Sequence, residues 1–302
     1  MLPIHYPVKG EIHLNSKVIV KKLTPTIGAE VLGVDLTKPL SKDEVTLIQE
    51  ALLENQVIFF RDQDMSHEQL IRFGRYFGTL YTHPNAAKEQ SGKQPYVSTL
   101  LEYPEIIRVY ADENSIKVAG ETLHSDVSSE VEPPMGSILR LEELPEVGGD
   151  TLFASMYAAF DAFSKEMQEF LCSLTAIHDG AHAYGRKNPD RDRQFVSSEH
   201  PVIRTHPVTG RQALFVSTSF TRRIVQLTQS ESDALLIFLL RHIEKPAFQC
   251  RFRWQKNSVA FWDNRCTLHQ AQWDYFPNRR VGYRVQLIGD RPFFRRTNEV
   301  GG

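Results

Sequence analysis

The tripeptide His124-Ser125-Asp126 is the segment whose residue types and spacing most directly suggest chemistry. In an extended segment, the side chains at positions i and i+2 point to the same side. One imidazole nitrogen of His124 and one carboxylate oxygen of Asp126 would then reach the same metal ion. In a chain with 11 histidines, however, the same tripeptide also arises by chance as a surface pair. A metal site therefore requires a third ligand.

His269 is the best candidate for that third ligand. It follows a strongly apolar strand predicted at residues 259–262, after a turn. Two histidines and one carboxylate on one face of a metal leave the opposite face open. That arrangement suits Fe(II), which must bind O2 and a chelating cosubstrate together. We therefore predict that His124, Asp126 and His269 bind Fe(II).

A chelating 2-oxo acid would carry a distal carboxylate, and that charge needs a partner inside the fold. Arg280 and Arg284 follow His269 in the sequence and flank a strand that begins near residue 281. A guanidinium group binds a carboxylate through two parallel hydrogen bonds. Thr151 would add a hydroxyl group. For any single arginine the alternative is a solvated surface side chain, because arginines are mostly exposed.

Short apolar segments separated by turn residues must position these side chains. They predict many short strands, and this pattern is typical of a mainly β protein with helices, a β-sandwich or jelly roll with helical cover. A doubly wound dinucleotide-binding fold is the weaker alternative, because regular strand–helix alternation and a GxGxxG motif are both missing. The predicted strands lie at residues 18–20, 31–34, 57–60, 106–110, 136–140, 152–154, 212–216, 248–254, 259–262 and 281–287.

Four segments have the apolar spacing of helices: residues 41–55, 66–78, 158–174 and 230–243. In the first of these, Ser41 and Glu44 form the sequence pattern of a capping box. Residues 1–15 are irregular and are predicted to be an N-terminal arm. Residues 16–302 are predicted to form one domain.

Composition excludes several classes of protein. The chain has 302 residues, of which 41% are hydrophobic, and a net charge of −2, so neither disorder nor nucleic-acid binding by bulk charge is expected. The longest apolar run, residues 234–240, is far shorter than the roughly 20 residues of a membrane span. Cys172, Cys250 and Cys266 form no CxxC pair, and no signal peptide is visible. A cytoplasmic location is expected.

Taken together, these motifs resemble the taurine dioxygenase family of Fe(II)/2-oxoglutarate-dependent dioxygenases, which includes 2,4-dichlorophenoxyacetate-type and alkylsulfatase enzymes. The resemblance covers residues 24–294 and implies a double-stranded β-helix (cupin-like) core. It implies iron on His124, Asp126 and His269, and 2-oxoglutarate on Arg280 and Thr151. The family-like stretches are Ile27-Gly28-Ala29-Glu30-Val31, Gly33-Val34-Asp35-Leu36, residues 56–63, His124-Ser125-Asp126-Val127, Gly148-Gly149-Asp150-Thr151, Trp262-Asp263-Asn264-Arg265 and residues 269–284.

The resemblance also implies a substrate site. Arg284 would meet the anionic group of the prime substrate, and His83, Tyr184 and Phe220 would line the pocket. A pocket Tyr and a pocket Asn of taurine dioxygenase are replaced here by Ala86 and Gly120. Leaving the polar ends of a small zwitterion unpaired would cost about 1–3 kcal/mol each. We therefore expect a larger, partly apolar carboxylate, sulfonate or sulfate ester rather than taurine.

The expected reaction is hydroxylation of a substrate C–H bond with release of succinate and CO2. The product would fragment if that carbon carries a sulfonate, sulfate or aryloxy group. Because family members are often dimers or tetramers, a homo-oligomer is also expected.

Two other functions stay open from the residues. The first is a non-catalytic jelly-roll protein that binds a metal or ligand. The second is a zinc hydrolase using His178 and His182, which have the i, i+4 spacing of the HExxH motif. The zinc hypothesis is the weaker, because Asp179 replaces the usual Glu and Gly180 disfavours a helix.

Overall fold

The computed structural model describes residues 18–82, 87–88, 97–184 and 195–296, with the side chains of 87, 88 and 184 excepted. The predicted N-terminal arm and the predicted pocket residue His83 lie outside the described residues, as does Ala86. Tyr184 is described only as the last residue of a short helix.

Most of the described secondary structure is β, as predicted. The strands are β1 (Ile19–Lys22), β2 (Ala29–Leu32), β3 (Val57–Phe60), β4 (Leu80–Tyr81), β5 (Ala87–Lys88), β6 (Val97–Thr99), β7 (Ile107–Ala111), β8 (Gly136–Glu143), β9 (Thr151–Ser155), β10 (Thr175–Asp179), β11 (Ser197–Pro201), β12 (Ile203–Thr205), β13 (Gln212–Leu214), β14 (Thr221–Ile224), β15 (Gln249–Phe252), β16 (Val259–Asp263), β17 (Thr267–Ala271) and β18 (Arg280–Leu287). The helices are α1 (Lys42–Asn55), α2 (His67–Arg75), α3 (Met156–Asp161), α4 (Lys165–Cys172), α5 (Gly180–Tyr184) and α6 (Gln229–Ile243), with one 3-10 turn at Pro246–Phe248.

Two sheets form the centre of the molecule. Within the described residues, ten strands make the larger sheet in the order β1-β2-β3-β16-β8-β18-β7-β6-β5, with β4 beside β18. The smaller sheet has the order β15-β9-β17. Among the described strand pairs only β2–β3 and β5–β6 are parallel, which is inconsistent with a doubly wound fold.

The interior between the two sheets is apolar at one end. Phe59 of the larger sheet stacks on Phe252 of the smaller one, with ring centroids 3.8 Å apart. Phe59 also meets the edge of Phe153 at 5.5 Å. Leu139, Leu141 and Ala260 complete this layer. Side chains from both inner faces therefore interdigitate as in a β-sandwich.

The outer face of the larger sheet is covered by α1 and α2. Ile58, Phe60 and Ile138 pack there in one cluster with Leu52 of α1 and Phe73 of α2. Helix α1 has the predicted capping box, in which Ser41 and Glu44 exchange hydrogen bonds. Helix α2 ends at Arg75, three residues earlier than predicted.

The single helix predicted over residues 158–174 is wrong, because two short helices replace it. Helix α3 ends at Asp161, and Ser164 then caps α4 by accepting a hydrogen bond from the Met167 amide. A serine favours a cap over a helix interior, since its hydroxyl group satisfies a free amide at a helix start. Helix α6 agrees with the prediction and packs in a second core beside α3.

Two small sheets, β11-β10-β14 and β12-β13, are inserted between β9 and β15. No described helix is long and apolar enough to cross a bilayer. The predicted mainly β fold with flanking and inserted helices is therefore confirmed. Four of the predicted site residues lie on β9, β17 and β18, namely Thr151, His269, Arg280 and Arg284.

Candidate active site

His124 and His269 lie side by side, as expected for two ligands of one metal. His269 belongs to β17, and the extended segment around His124 forms an antiparallel bridge with it. Each residue donates its backbone N–H to the carbonyl of the other, at N···O distances of 3.1 and 2.9 Å. The two imidazole centroids are 4.2 Å apart. The main chain itself therefore fixes the separation of the two rings.

Asp126 completes the group. Its Oδ1 atom lies 3.7 Å from Nε2 of His124 and 3.9 Å from Nε2 of His269. The three potential ligand atoms all lie within 4.8 Å of one another. All three residues are buried, with exposed fractions of 9% for His124, 3% for Asp126 and 7% for His269. The structure thus brings the three predicted residues together at one point.

The protonation of these groups suits a divalent metal. Nδ1 of His124 lies 2.8 Å from the carbonyl oxygen of Thr122, so this nitrogen carries the proton and Nε2 presents its lone pair. Burial lowers the pKa values of His124 and His269. Burial acts to raise the pKa of Asp126, but the charge of Arg284, the two neighbouring histidines and the Ser137 hydrogen bond together outweigh it and hold that pKa below its usual range. Neutral imidazoles and an ionised carboxylate are the forms that bind metal.

Several residues that the sequence did not single out support this group. Ser137 of β8 donates a hydrogen bond of 2.7 Å to Oδ2 of Asp126, and Asn264 donates to Ser137. The rings of Trp262 and Phe153 pack on His269, with centroid distances of 4.6 and 6.2 Å. Trp262 and Asn264 lie in a stretch noted for its family likeness. Ser137 gave no signal, since it lies within an apolar strand.

Arg280 and Thr151 lie at a second place in the interior between the two sheets. The register pairs His269 with Phe153 and Ala271 with Thr151, so the Thr151 and His269 side chains project from the same face. Trp254 connects Thr151 with Arg280. Its indole N–H donates to Oγ1 of Thr151 at 2.9 Å, and the Arg280 guanidinium carbon lies 6.0 Å from its ring centroid.

Arg280 forms no ion pair with any described carboxylate. It is buried, and its Nε donates to the Gly149 carbonyl oxygen at 3.2 Å. The nearby carboxylates Asp150 and Asp274 are instead paired with Arg251. Because Thr151 accepts the Trp254 proton, its own hydroxyl proton remains available to a ligand. A buried arginine and a free hydroxyl donor together fit a carboxylate.

Gly149 lies against Arg280 and leaves little space for a side chain. Its φ angle is +72°, and a Cβ atom there would lie 3.3 Å from Cδ of Arg280. We expect Gly149→Ala to raise the dissociation constant of 2-oxoglutarate about tenfold, because the added methyl group displaces the guanidinium. The measurement is calorimetric titration of the metal-loaded protein.

Gly210→Ala is the matched control for that prediction. Gly210 has a similar φ of +70°, but a Cβ atom there would meet nothing within 4 Å. Both variants therefore carry the same backbone strain, and only Gly149→Ala crowds Arg280. Equal 2-oxoglutarate affinities in the two variants would contradict the prediction.

Arg284 lies beside Asp126 rather than beside Arg280. Its Nη1 donates to Oδ1 of Asp126 at 2.8 Å, and its Nε is buried with no hydrogen-bond partner among the described residues. Arg280 and Arg284 project from the same face of β18, four residues apart, which corresponds to about 13 Å along the strand. The interior therefore offers two separate positive positions.

Phe220 is buried in the turn immediately before β14, and its carbonyl oxygen accepts the Asp179 amide at 2.8 Å. Asp179 ends β10 and directly precedes α5, the helix that ends at Tyr184. The backbone thus brings Phe220 next to the N-terminus of that helix.

His178 and His182 do not share a helical face, contrary to the zinc hydrolase alternative. His178 lies in β10, and His182 lies in the next element, α5. The His178 side chain is buried, with Nδ1 3.0 Å from Oγ of Ser128, whereas His182 is exposed. In the described part of the chain, neither belongs to a group of three potential metal ligands.

His178 and His200 instead hold the segment that follows Asp126. The backbone turns sharply at Val127, whose φ of +49° is rare for a β-branched residue. His178 contacts Ser128, and Nε2 of His200 lies 3.0 Å from the Glu130 carbonyl oxygen. The two imidazole centroids are 5.2 Å apart. These histidines therefore fix both ends of a strained turn.

Burial keeps both histidines neutral, lowering the pKa of His178 to about 3 and that of His200 to about 4. In the unfolded chain each titrates near 6.5, so between these values the unfolded state binds more protons. Stability is therefore lost as the pH falls from 6.5 towards 4. We expect metal-free wild-type protein to lose about 1–2 kcal/mol more than His200→Gln between pH 7 and pH 5. Urea unfolding at both pH values measures this, and parallel pH profiles would contradict it.

A second group of potential ligands, His206, Asp263 and Cys266, is already engaged internally. Nδ1 of His206 accepts two backbone N–H groups, so Nε2 carries the proton and donates to Asp263 at 3.0 Å. Both carboxylate oxygens of Asp263 also accept from Arg265. This network stabilises the turn between β16 and β17, which leads to His269.

The sandwich interior and its three converging potential ligands define a class of protein. Two histidines and one carboxylate with an open face are the metal site of non-haem Fe(II) oxygenases. The described residues fit that metal, because the Nε2 atoms of both histidines and the ionised Asp126 meet at one point. The unpaired Arg280 fits the distal carboxylate of a 2-oxo acid.

Comparison with known proteins identifies the family. The model of the "Taurine catabolism dioxygenase TauD, TfdA family" matches residues 19–286, and the chain belongs to this family. A Saccharomyces cerevisiae alpha-ketoglutarate-dependent sulfonate dioxygenase is 35% identical over 90% of this chain and 67% of its own length. An Acinetobacter baylyi alkylsulfatase is 31% identical over 90% of this chain and 85% of its own. The crystal structure of a taurine dioxygenase from Burkholderia xenovorans superposes with a TM-score of 0.76 and 37% identity, covering 91% and 92% of the two chains.

Membership of this family establishes the class of reaction and the type of fold. The protein is an Fe(II)- and 2-oxoglutarate-dependent dioxygenase that uses O2, and its two sheets are the jelly-roll core of these enzymes. Catalysis is therefore part of its function, and the non-catalytic alternative is not supported. Its substrates are small molecules.

Proposed function

We propose that this enzyme hydroxylates a C–H bond of a partly apolar organic sulfonate, sulfate ester or carboxylate, and does not act mainly on taurine. The observation that carries the proposal is the position of Arg284, whose guanidinium lies against Asp126. A substrate anion bound to Arg284 would hold its neighbouring carbon close to the metal. The names of two relatives, a sulfonate dioxygenase and an alkylsulfatase, support a sulfur oxyanion in this position.

We assign the residues of the site as follows. His124, Asp126 and His269 hold the iron, and Arg280 with Thr151 holds the distal carboxylate of 2-oxoglutarate. Bound Fe(II) supplies the activation of O2, with 2-oxoglutarate converted to succinate and CO2. The separation between Arg280 and Arg284, about 13 Å along β18, supports one anion for each arginine. Fixed donors in a buried interior bind these anions more strongly than donors in water would.

Gly120 supports a substrate that does not need polar contacts at this position. Its φ is +79°, and a Cβ atom there would lie 2.8 Å from Cε1 of His124. Any side chain at this position would displace a proposed metal ligand, so position 120 offers no side-chain hydrogen-bonding group. Phe220 is buried next to the N-terminus of α5, and this supports an apolar wall of the substrate pocket there. We include His83 and Tyr184 in that wall on family likeness alone.

Three further assignments complete the proposal. Residues 16–302 act as one catalytic domain after an irregular arm at residues 1–15. The enzyme works in the cytoplasm, because its three cysteines are free and a reducing compartment suits them. It forms a homo-oligomer, a dimer or a tetramer, as many members of its family do.

A succinate-release screen tests the substrate proposal. Straight-chain alkanesulfonates, matched alkyl sulfates and matched carboxylates would be compared with taurine at saturating 2-oxoglutarate. We expect kcat/KM for a six-carbon sulfonate or sulfate to exceed that for taurine at least about tenfold, because each unpaired polar group costs about 1–3 kcal/mol. A preference for taurine would refute the substrate class, and no succinate with any acid would refute an anionic prime substrate.

A further inference from the structure

We propose that Ser137 is a positioning residue that keeps Asp126 a one-oxygen ligand of the metal. The inference rests on the proposed metal site, in which Asp126 is a ligand. It concerns a residue for which the sequence carries no motif, and it follows from the different surroundings of the two carboxylate oxygens.

Those surroundings are clearly distinct. Oδ1 of Asp126 lies 3.7 and 3.9 Å from the two imidazole Nε2 atoms, so it is the oxygen that faces the proposed metal position. Oδ2 accepts the Ser137 hydroxyl at 2.7 Å. Ser137 itself is fully buried in β8, opposite Trp262 on one side and Gln286 on the other. The hydroxyl group is therefore shielded from bulk solvent.

The direction of the Ser137 hydrogen bond is fixed by a chain of donors. The indole N–H of Trp262 is only a donor, and it points to Oδ1 of Asn264 at 2.9 Å. The Asn264 amide must therefore present its NH2 group to Ser137, at 3.1 Å. Because Oγ of Ser137 accepts that proton, its own proton goes to Oδ2 of Asp126. The indole N–H of Trp262 cannot accept a hydrogen bond. The direction of each hydrogen bond from Trp262 to Asp126 is therefore fixed.

The hydrogen bond from Ser137 to Asp126 affects how many coordination positions of the metal stay open. An octahedral metal has six positions, and three protein atoms leave three for a chelating 2-oxo acid and O2. If Oδ2 of Asp126 also bound the metal, only two positions would remain, and the chelating acid would fill both. A hydrogen bond that holds Oδ2 away from the metal therefore protects the third open position.

Arg284 does not supply the same restraint. It donates to Oδ1, the oxygen that faces the histidines, and in the proposed function it also binds the substrate anion. Its contact with Asp126 would therefore change during turnover. The Ser137 contact lies on the opposite oxygen, in the fully buried inner face of the sheet, and is independent of the substrate.

The test measures two affinities on metal-free protein. Co(II) alone is titrated first, and 2-oxoglutarate is then titrated into the cobalt-loaded protein, both by calorimetry. For Ser137→Ala we expect the Co(II) dissociation constant to stay within about threefold of wild type, since the freed Oδ2 can itself bind the metal. The dissociation constant of 2-oxoglutarate should rise about tenfold, because the acid must displace that oxygen.

Ser258→Ala is the matched control. Ser258 is also fully buried, and its hydroxyl accepts hydrogen bonds from Arg61 and the Gln255 amide, away from the metal site. Its variant should leave both affinities at the wild-type values, and Ser137→Thr, which keeps the hydroxyl, should do the same. The inference is overturned if 2-oxoglutarate binds Ser137→Ala as tightly as the control. A parallel loss of Co(II) and 2-oxoglutarate affinity would also overturn it, since that indicates only a damaged fold.

Infrared spectroscopy tests the same inference on the wild-type protein, independently of how any variant folds. A difference spectrum between cobalt-loaded and metal-free protein with 13C-labelled aspartate isolates the bound carboxylate. A wide separation between its two stretching bands supports one-oxygen binding, and a narrow separation overturns the inference. Failure of wild-type protein to bind Co(II) would instead refute the proposed metal site itself.

Discussion

His269→Ala should remove the visible absorption band that appears when Fe(II) and 2-oxoglutarate are added anaerobically to the wild-type protein. The band requires both ligands on one metal, and His269 supplies one of the three atoms that converge there. Changes to groups that merely orient a metal ligand cost 10–100-fold in affinity, so the loss of a ligand should cost at least about a hundredfold. Succinate production should fall below detection.

His182→Ala is the control for that measurement. His182 is exposed on α5 and lies in no described group of potential ligands, so its loss should leave the band unchanged. The pair also separates the two metal hypotheses. A band that survives in His269→Ala but disappears in His182→Ala would refute the site proposed here.

Arg280→Leu and Arg284→Leu should have opposite effects on two ligands. Arg280 is buried without a described ion-pair partner, so its loss should raise the KM for 2-oxoglutarate about a hundredfold, as expected for two charge-assisted hydrogen bonds. The KM for the prime substrate should change little. Arg284→Leu should raise the KM for the prime substrate by a similar factor and leave 2-oxoglutarate affinity nearly unchanged.

Steady-state kinetics with each ligand varied in turn measures both effects. Arg280→Lys and Arg284→Lys keep the charge but lose the planar pair of donors, so each should fall between the wild type and its leucine variant. Because Arg284 also contacts Asp126, Co(II) binding should be measured in parallel to separate substrate binding from metal loss. Equal effects of both leucine variants on both ligands would mean that the arginine assignments are wrong.

The convergence of the three proposed metal ligands could be predicted from sequence largely because two of them are close together in the chain. His124 and Asp126 are separated by one residue, and the period of an extended chain puts their side chains on one side. His269 needed one further assumption, that an apolar strand would carry it to the same place. The bridge between the His124 and His269 backbones is the structural reason that this assumption holds.

Other features depended on contacts between distant parts of the chain. Ser137 lies 11 residues after Asp126 and in a different element, and nothing local to β8 indicates the carboxylate above it. The same is true of Gly149, whose role follows from the side chain of Arg280 packing against it.

Predictions from local sequence were also wrong about helices where a helix competes with another local structure. The apolar spacing of residues 158–174 favours one helix, but the Ser164 hydroxyl group caps a new one. Similarly, the i, i+4 spacing of His178 and His182 suggested a shared helical face. The strand β10 continues through Asp179, because pairing with β11 and β14 stabilises it more than a helix start would.

The backbone bridge that spaces the two imidazoles has a consequence for the choice of metal. Because backbone hydrogen bonds set the distance between the two histidines, an ion held by the three proposed ligands would not have to draw them together on binding. A site set in advance from nitrogen and oxygen donors also accepts manganese, cobalt or nickel where its geometry allows, and cobalt and nickel bind such donors more tightly than iron does. Selectivity for iron must then come from which ions are available in the cell. We expect trace nickel or copper to compete with iron for this site and to inhibit the enzyme.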